Sequence, residues 1–234
     1  RYELVRERSV PRELDAHGLP TLTHFTLIGY GKPIESHNPD PAAALDAFRA
    51  LSEHWGPQRV IWRYDPIVIG TTTPAAWHLE NFARLAEQLA GYTQQCMVSF
   101  LSRYGKTVRN LDHLTQETGI TFDVPDKDTR RDLLRRMNTI AADHGITLKT
   151  CCEDAARADV APGRCLDPDL LREISGQPDA VMKIAPTRPG CACIKVSDIG
   201  AYDTCLFGCA YCYATNSRRA ALARLAAADG FDLG

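Results

Sequence analysis

Short apolar runs alternate with amphipathic stretches along the first 150 residues of the chain. The apolar runs predict strands at residues 25–29, 60–65, 96–101 and 146–150. Apolar residues that recur every three or four positions predict helices at residues 42–54, 74–90 and 127–144. Strands separated by helices of this length are typical of β-α-β units, so we expect an α/β fold with a mostly parallel sheet.

The number of these units decides which parallel fold we expect. Four are visible, too few for a closed eight-stranded barrel, so we expect a partial (β/α) barrel over residues 1–154, completed by strands upstream of Arg1. Residues 155–234 should form an irregular cysteine-rich lobe packed on the same barrel, with a short helix near residues 167–174 and a last helix at residues 216–228. Parallel strands end on one side of such a fold, and ligands bind there.

Composition and charge narrow the classes of partner. The chain has 234 residues and a formal net charge of −2, which gives no basic surface for nucleic acid or anionic membranes. It contains no apolar run of roughly 18 residues and does not open on a charged-then-apolar leader. We therefore expect a cytoplasmic protein that acts on a small molecule, with no membrane partner.

Cysteine is the unusual component of the sequence. Eight of the nine cysteines lie after residue 150. Such clustering without a secretory leader favours metal or iron-sulfur ligation over disulfides. Cys96, alone in a predicted strand, is expected to be a small buried hydrophobic residue. The seven histidines show no metal-ligand spacing, so we expect them at the surface or at helix caps.

Three cysteines form the most specific motif. Cys205, Cys209 and Cys212, hereafter the triad, have the spacing C-x3-C-x2-C, with Tyr211 before the last cysteine. Three thiolates on one loop would hold three irons of a [4Fe-4S] cluster and leave the fourth iron open to another ligand. A zinc site is the alternative, but zinc loops usually pair as two C-x2-C turns.

This motif resembles that of the radical S-adenosylmethionine superfamily. The resemblance implies that the open iron binds the amino and carboxylate groups of S-adenosyl-L-methionine, and that Tyr211 packs near the adenine. It also implies an electron donor such as flavodoxin or ferredoxin. In most superfamily members the motif follows the first strand, so its C-terminal position here implies a rearranged order with the cluster at the same rim.

Almost the whole chain is similar to a small uncharacterised family whose members carry such a cluster near their C-terminus. The similarity lies in four segments, at residues 25–31, 60–67, 188–193 and 198–202.

Four further cysteines suggest a second metal site. They are Cys151, Cys165, Cys191 and Cys193. Four thiols suffice for an auxiliary [4Fe-4S] cluster, and they equally suit a tetrahedral zinc ion or a thiophilic substrate. Cys152 would point away from Cys151 if the strand continued through both residues.

Charged residues at predicted strand ends are candidate cofactor contacts. Arg63 would pair with the carboxylate of the cofactor's methionine moiety, and Asp65 or Glu153 would accept hydrogen bonds from its ribose hydroxyls or its amine. The competing interpretation is an ion pair between Arg63 and one of these two carboxylates.

The sequence therefore predicts an enzyme that cleaves S-adenosylmethionine reductively to generate a carbon radical, which acts on a second substrate. One alternative cleaves a different carbon-sulfur bond and transfers a 3-amino-3-carboxypropyl group to a soft acceptor. Another is a non-catalytic structural or binding module that holds zinc or iron-sulfur.

Overall fold

The computed structural model describes residues 9–152, 159–186 and 190–228. Its strands are β1 (Thr23–Thr26), β2 (Val60–Ile67), β3 (Ile69–Gly70), β4 (Gln95–Phe100), β5 (Phe122–Asp123), β6 (Thr147–Thr150) and β7 (Ala161–Pro162). Its helices are α1 (Ser9–Ala16), α2 (Pro41–Trp55), α3 (Ala75–Leu89), α4 (Gly105–Thr118), α5 (Lys127–Asp143), α6 (Pro168–Ser175) and α7 (Arg218–Ala228).

Five of the strands form one sheet in the order β1-β2-β4-β6-β7, and every neighbouring pair in it is parallel. Strands β3 and β5 pair separately and antiparallel. The expectation of an α/β fold with a mostly parallel sheet is confirmed. Because all five strands run the same way, their carboxyl ends meet at one edge of the sheet.

Helices cover one face of this sheet. Trp62 of β2 stacks on Phe82 of α3 with ring centroids 4.8 Å apart, and Tyr64 meets the same ring edge-on at 5.2 Å. All three side chains are fully buried. Burying an aromatic side chain of this size stabilises the fold by about 2–3 kcal/mol, so this contact fixes helix to sheet.

The cysteine-rich lobe covers the opposite face. Successive side chains of a strand point to opposite sides, so Ile61 of β2 lies away from the helices. It forms a small buried cluster with Met97 of β4 and Cys151 after β6, and Cys165 and Leu170 of the lobe pack against this cluster. The second face is therefore where strand-end residues meet the lobe.

Several helix ends follow the sequence signals. Asp40 caps α2 by accepting a hydrogen bond from the N–H of Ala42 at 2.8 Å, and Pro41 occupies the first turn. Asp126 caps α5 in the same way through Thr129 at 2.7 Å. The short lobe helix was also predicted, and α7 begins two residues later than expected.

Five elements were not predicted: α1, α4, β3, β5 and β7. Helix α4 buries only Thr107, Leu111 and Leu114, too narrow a stripe to stand out in a polar segment. Strand β7 is two residues long and contains Pro162, which an edge strand tolerates because its N–H side needs no partner. Within the described ranges, no helix is both long and apolar enough to cross a membrane.

Candidate functional site

The triad loop docks on the segment that follows β1. The N–H of Ala210 donates to the carbonyl of Ile34 at 2.9 Å, and the N–H of His37 donates to the carbonyl of Phe207 at 3.0 Å. These bonds form a short antiparallel pairing that brings the cysteine loop to the carboxyl end of the sheet.

The two ends of the triad loop are tied together and to α4. The side chain of Asn216 donates to Asp203 at 3.0 Å, and the ammonium group of Lys106 donates to the carbonyl of Thr215. Gly208, between the first two cysteines, has a φ of +67°, which side-chain-bearing residues rarely adopt. The loop therefore turns tightly at Gly208, between Cys205 and Cys209.

The middle thiol of the triad contacts the segment that follows β1. The Cys209 thiol donates to Oδ1 of Asn38 at 3.4 Å. Burial raises the pKa of Cys209 to about 12, and the charges of Glu35, Cys205 and Cys212 add to this rise. A positive ion at this position would relieve the same repulsion.

Glu35 links the loop to Tyr211. Its carboxylate is 5% exposed and accepts hydrogen bonds from the hydroxyl of Tyr211 and, at 3.0 Å, from the N–H of Tyr30. Burial raises the pKa of Glu35, and burial together with the nearby Glu35 raises the pKa of Tyr211 well above 10. The Tyr211 hydroxyl also hydrogen-bonds the Cys209 thiol. The tyrosine is thereby fixed beside the triad.

A pocket of about 140 Å³ adjoins the triad at the carboxyl end of β1. Its lining includes Thr26, Lys32, Glu35, Asn38 and Asp40. Two of these side chains, Glu35 and Asn38, also contact triad-loop residues. A ligand in this pocket would therefore lie next to the thiols.

Buried polar side chains hold the wall of the pocket. The indole N–H of Trp62 donates to the carbonyl of Leu27 at 2.8 Å, and the amide of Asn81 donates to the carbonyl of Ile28 at 2.8 Å. Both donors come from the helix-covered side of the sheet. The hydrophobic core thus positions the loop that forms the pocket.

The second set of cysteines gathers on the lobe-covered face. We call Cys151, Cys152, Cys165, Cys191 and Cys193 the lobe cysteine group. The Cys151 sulfur lies 3.5 Å from that of Cys165 and 3.8 Å from that of Cys152. The expectation that Cys152 points away is wrong, because β6 ends at Thr150 and Cys152 has a φ of 59°.

Cys191 and Cys193 join the same group. The N–H of Cys193 donates to the Cys191 sulfur at 3.5 Å. Burial raises the pKa of Cys193, while hydrogen bonds from the backbone of Leu166 and Cys165 to its sulfur lower it. The structure therefore places Cys151, Cys152 and Cys165 in one set, and Cys191 and Cys193 in a second set next to it.

Arg63 and Asp65 lie with the lobe cysteine group. Arg63 donates to the Cys165 sulfur at 3.2 Å and forms an ion pair with Asp65. Asp65 also accepts a hydrogen bond from the hydroxyl of Ser99. The competing interpretation of an ion pair therefore holds for Arg63 and Asp65, and Glu153 lies outside the described residues.

His78 is fully buried and His24 is half-buried in its strand, so the expectation that all seven histidines lie at the surface or at caps is wrong. Burial lowers the pKa values of His24 and His78 to about 4. Nε2 of His24 donates to the carbonyl of Cys165 at 2.6 Å, while its Nδ1 has no hydrogen-bond partner among the described residues.

Glu35 and Asn38 are functional candidates that the sequence did not single out. Glu35 lies in a loop without hydrophobic periodicity, and Asn38 reads only as part of a helix start. Only the long-range pairing with the triad loop shows their role. Cys96, by contrast, is fully buried as expected.

The two cysteine groups can be tested against the metals proposed for them. Among the described residues, no three His, Cys, Asp or Glu side chains already surround one point as a metal site. The thiolates of an iron-sulfur cluster bind different irons, so they need to gather on one loop without contacting each other. The donor set of the triad fits this requirement.

Comparisons with known proteins give one match. The model of a family described as a domain of unknown function, DUF1848, matches residues 8–214. The comparisons with curated proteins and with solved structures found no match. Both cysteine groups lie within the matched residues.

Proposed function

The chain belongs to the DUF1848 family, whose description assigns no activity, and from its site we propose that it is a radical S-adenosylmethionine enzyme. One observation carries the proposal: the loop that contains the three triad cysteines docks beside a pocket at the carboxyl end of a parallel sheet. Ligands of such folds bind at this edge.

The residues of the triad would hold the cofactor. Cys205, Cys209 and Cys212 would each bind one iron of a [4Fe-4S] cluster and leave one iron for S-adenosylmethionine. When bound, the cluster would supply the electron that cleaves a carbon-sulfur bond of S-adenosylmethionine.

The protein's own groups orient the ligand. Glu35 and Tyr30 fix the ring of Tyr211, whose centroid lies 5.9 Å from that of Tyr30, so a planar base has a rigid aromatic neighbour. Asn38 holds the Cys209 thiol on the pocket side of the loop. These contacts leave the triad little freedom before the cofactor binds.

The proposal includes our expectations about the barrel, the cofactor contacts, the partners and the location of the protein. We take the five parallel strands as part of a (β/α) barrel, with the lobe over its inner face. The predicted cofactor contacts remain Arg63, Asp65 and Glu153. On cofactor binding, Arg63 would leave its ion pair with Asp65 and pair with the cofactor's carboxylate. The proposal also includes a small-molecule substrate, an electron donor similar to flavodoxin or ferredoxin, and a cytoplasmic location.

Anaerobic reconstitution tests the proposal. With dithionite and S-adenosylmethionine, the wild-type chain should release 5′-deoxyadenosine, whereas C205S/C209S/C212S should lose at least about 100-fold in rate because the iron ligands are gone. Cys96→Ser is the matched control, since it removes a cysteine that belongs to neither group.

Three outcomes would contradict the proposal. A colourless wild-type protein that retains only zinc favours the non-catalytic module. Methylthioadenosine as the product favours 3-amino-3-carboxypropyl transfer. Cleavage by the triple variant at the wild-type rate would exclude the triad as the site.

A further inference from the structure

We propose that the lobe cysteine group binds a single thiophilic divalent ion of the zinc class, as a site separate from the triad. This inference goes beyond the proposed function and does not depend on it. It rests on sulfur spacing, on the donors that face the sulfurs, and on charge.

Sulfur spacing distinguishes a single ion from a cluster. Zinc-sulfur bonds of about 2.3 Å in a tetrahedron place neighbouring sulfurs about 3.8 Å apart. The Cys151 sulfur lies 3.5 Å from that of Cys165 and 3.8 Å from that of Cys152. Ligands of a cubic cluster bind different irons and stand farther apart. The contacts in this group therefore fit one ion.

The sulfurs of this group face hydrogen-bond donors. Arg63 donates to Cys165, the N–H of Cys193 donates to Cys191, and the backbone of Leu166 and of Cys165 hydrogen-bonds Cys193. Such donors favour thiolates over neutral thiols, and they recur as the outer shell of metal-bound sulfur. Three of the five sulfurs therefore face hydrogen-bond donors of this kind.

Thiolates at this position need a further cation. The guanidinium of Arg63 is shared between Cys165 and Asp65, so its charge is already largely balanced. Two or more neighbouring thiolates would then repel each other in a partly buried site. A divalent ion removes this repulsion and explains why so many thiols lie together.

His24 gives an independent sign of a missing partner. Its Nε2 must carry the proton, because the carbonyl of Cys165 can only accept. Nδ1 is then a bare lone pair, buried and without a partner among the described residues. This histidine fixes the backbone of one proposed ligand and brings a nitrogen donor near the group.

Binding requires one local adjustment. The sulfurs now form two sets, Cys151 with its two neighbours and Cys191 with Cys193, and no three described donors yet surround one point. The Cys193 sulfur lies one hydrogen bond from the backbone of Cys165. A small movement of the 190–193 loop would bring it to the ion.

Metal analysis of the full chain with the triad removed tests the inference. C205S/C209S/C212S, purified anaerobically from cells supplied with zinc and iron, should contain about one zinc ion per chain and no iron. Adding Cys151→Ser and Cys165→Ser should remove the zinc, whereas adding Cys96→Ser should not. About four irons per chain in the triad variant, or a folded triad variant without zinc, would overturn the inference.

Cobalt gives a second readout if the five-fold variant fails to fold. The triad variant, stripped with a chelator and titrated with Co²⁺ alone, should develop sulfur-to-cobalt charge-transfer absorption that saturates near one equivalent. Absence of this absorption would overturn the inference. Neither measurement involves S-adenosylmethionine, so failure of the radical proposal and failure of this one are distinguishable.

Discussion

The triad and the lobe cysteine group lie on the same sheet but are assembled differently. The triad comes from eight consecutive residues of one loop, positioned by backbone pairing with the segment after β1. The lobe group combines a strand end with two separate lobe segments, and its sulfurs contact each other. Local spacing builds the first site, whereas long-range folding builds the second.

This difference bears on what each group can bind. Sulfurs that share a loop without touching suit a cluster, which separates its ligands over several irons. Sulfurs in van der Waals contact suit one small ion. The surrounding charges differ as well, because Glu35 and Tyr211 neighbour the triad while Arg63 donates to the lobe group. Substitutions at Glu35 and Tyr211 should therefore affect the triad and leave the metal content of the lobe cysteine group unchanged.

Arg63→Ala should have the largest effect, because Arg63 both pairs with Asp65 and donates to the lobe cysteine group. Arg63 and Asp65 are only 18% and 17% exposed, so removing the cation leaves a mostly buried carboxylate unpaired. We expect unfolding free energy to fall by about 3 kcal/mol, measured by urea denaturation. Arg131→Ala, at an exposed Arg–Asp pair, is the control and should cost less than about 1 kcal/mol.

Arg63→Lys separates the structural role from cofactor binding. If Arg63 grips the cofactor's carboxylate, the lysine variant should weaken S-adenosylmethionine binding by about 1–3 kcal/mol by calorimetry, with little change in melting temperature. Unchanged affinity with a lowered melting temperature would remove Arg63 from the cofactor site and leave it to the lobe group.

Sequence patterns predicted the parts that depend on local chemistry. The Asp40 cap with Pro41 and the apolar stripe of α3 follow directly from short-range rules. The triad spacing is equally local. The lobe group was predicted as a set of cysteines, but its geometry depends on a left-handed residue at Cys152 and on how the lobe folds over β2.

Glu35 is the clearest example of a candidate site residue that could not be predicted from the sequence. Its side chain matters because residues 34–37 pair with a loop more than 160 residues away. Neither periodicity nor a motif marks such a residue. Helix α4 was missed for the opposite reason, since its narrow buried stripe is weak even as a local signal.

Glu35→Gln should reveal a pH-dependent effect confined to the triad side. Burial raises the pKa of Glu35 above its ordinary value of 4.5, so the folded state favours the protonated carboxyl. As pH rises from 4.5 through the raised pKa, wild-type stability should fall relative to Glu35→Gln, and the difference should vanish below pH 4.5. Urea denaturation across pH measures this, with exposed Glu87→Gln as the control.

A Glu35→Gln difference that is constant with pH would mean that the carboxyl titrates alike in the folded and unfolded chain. The buried contact with Tyr211 would then contribute nothing to proton affinity, and Glu35 would not be the electrostatic neighbour of the triad that its burial implies.

Tyr211→Phe should have the smallest effect, because it removes one hydroxyl and keeps the ring. The lost hydrogen bond to Glu35 should cost about 0.5–1.5 kcal/mol of unfolding free energy. The metal content of the lobe cysteine group should not change, because the hydrogen bonds and sulfur contacts of that group do not include Tyr211.

The affinity for S-adenosylmethionine tests the role of the tyrosine ring. If the ring packs against the adenine, the affinity of Tyr211→Phe should stay within about threefold of wild type, whereas Tyr211→Ala should weaken binding at least tenfold. Tyr213→Phe, at an exposed neighbour in the same loop, should match wild type in both assays. Equal affinity in the phenylalanine and alanine variants would show that the tyrosine before the last cysteine serves the loop and not the ligand.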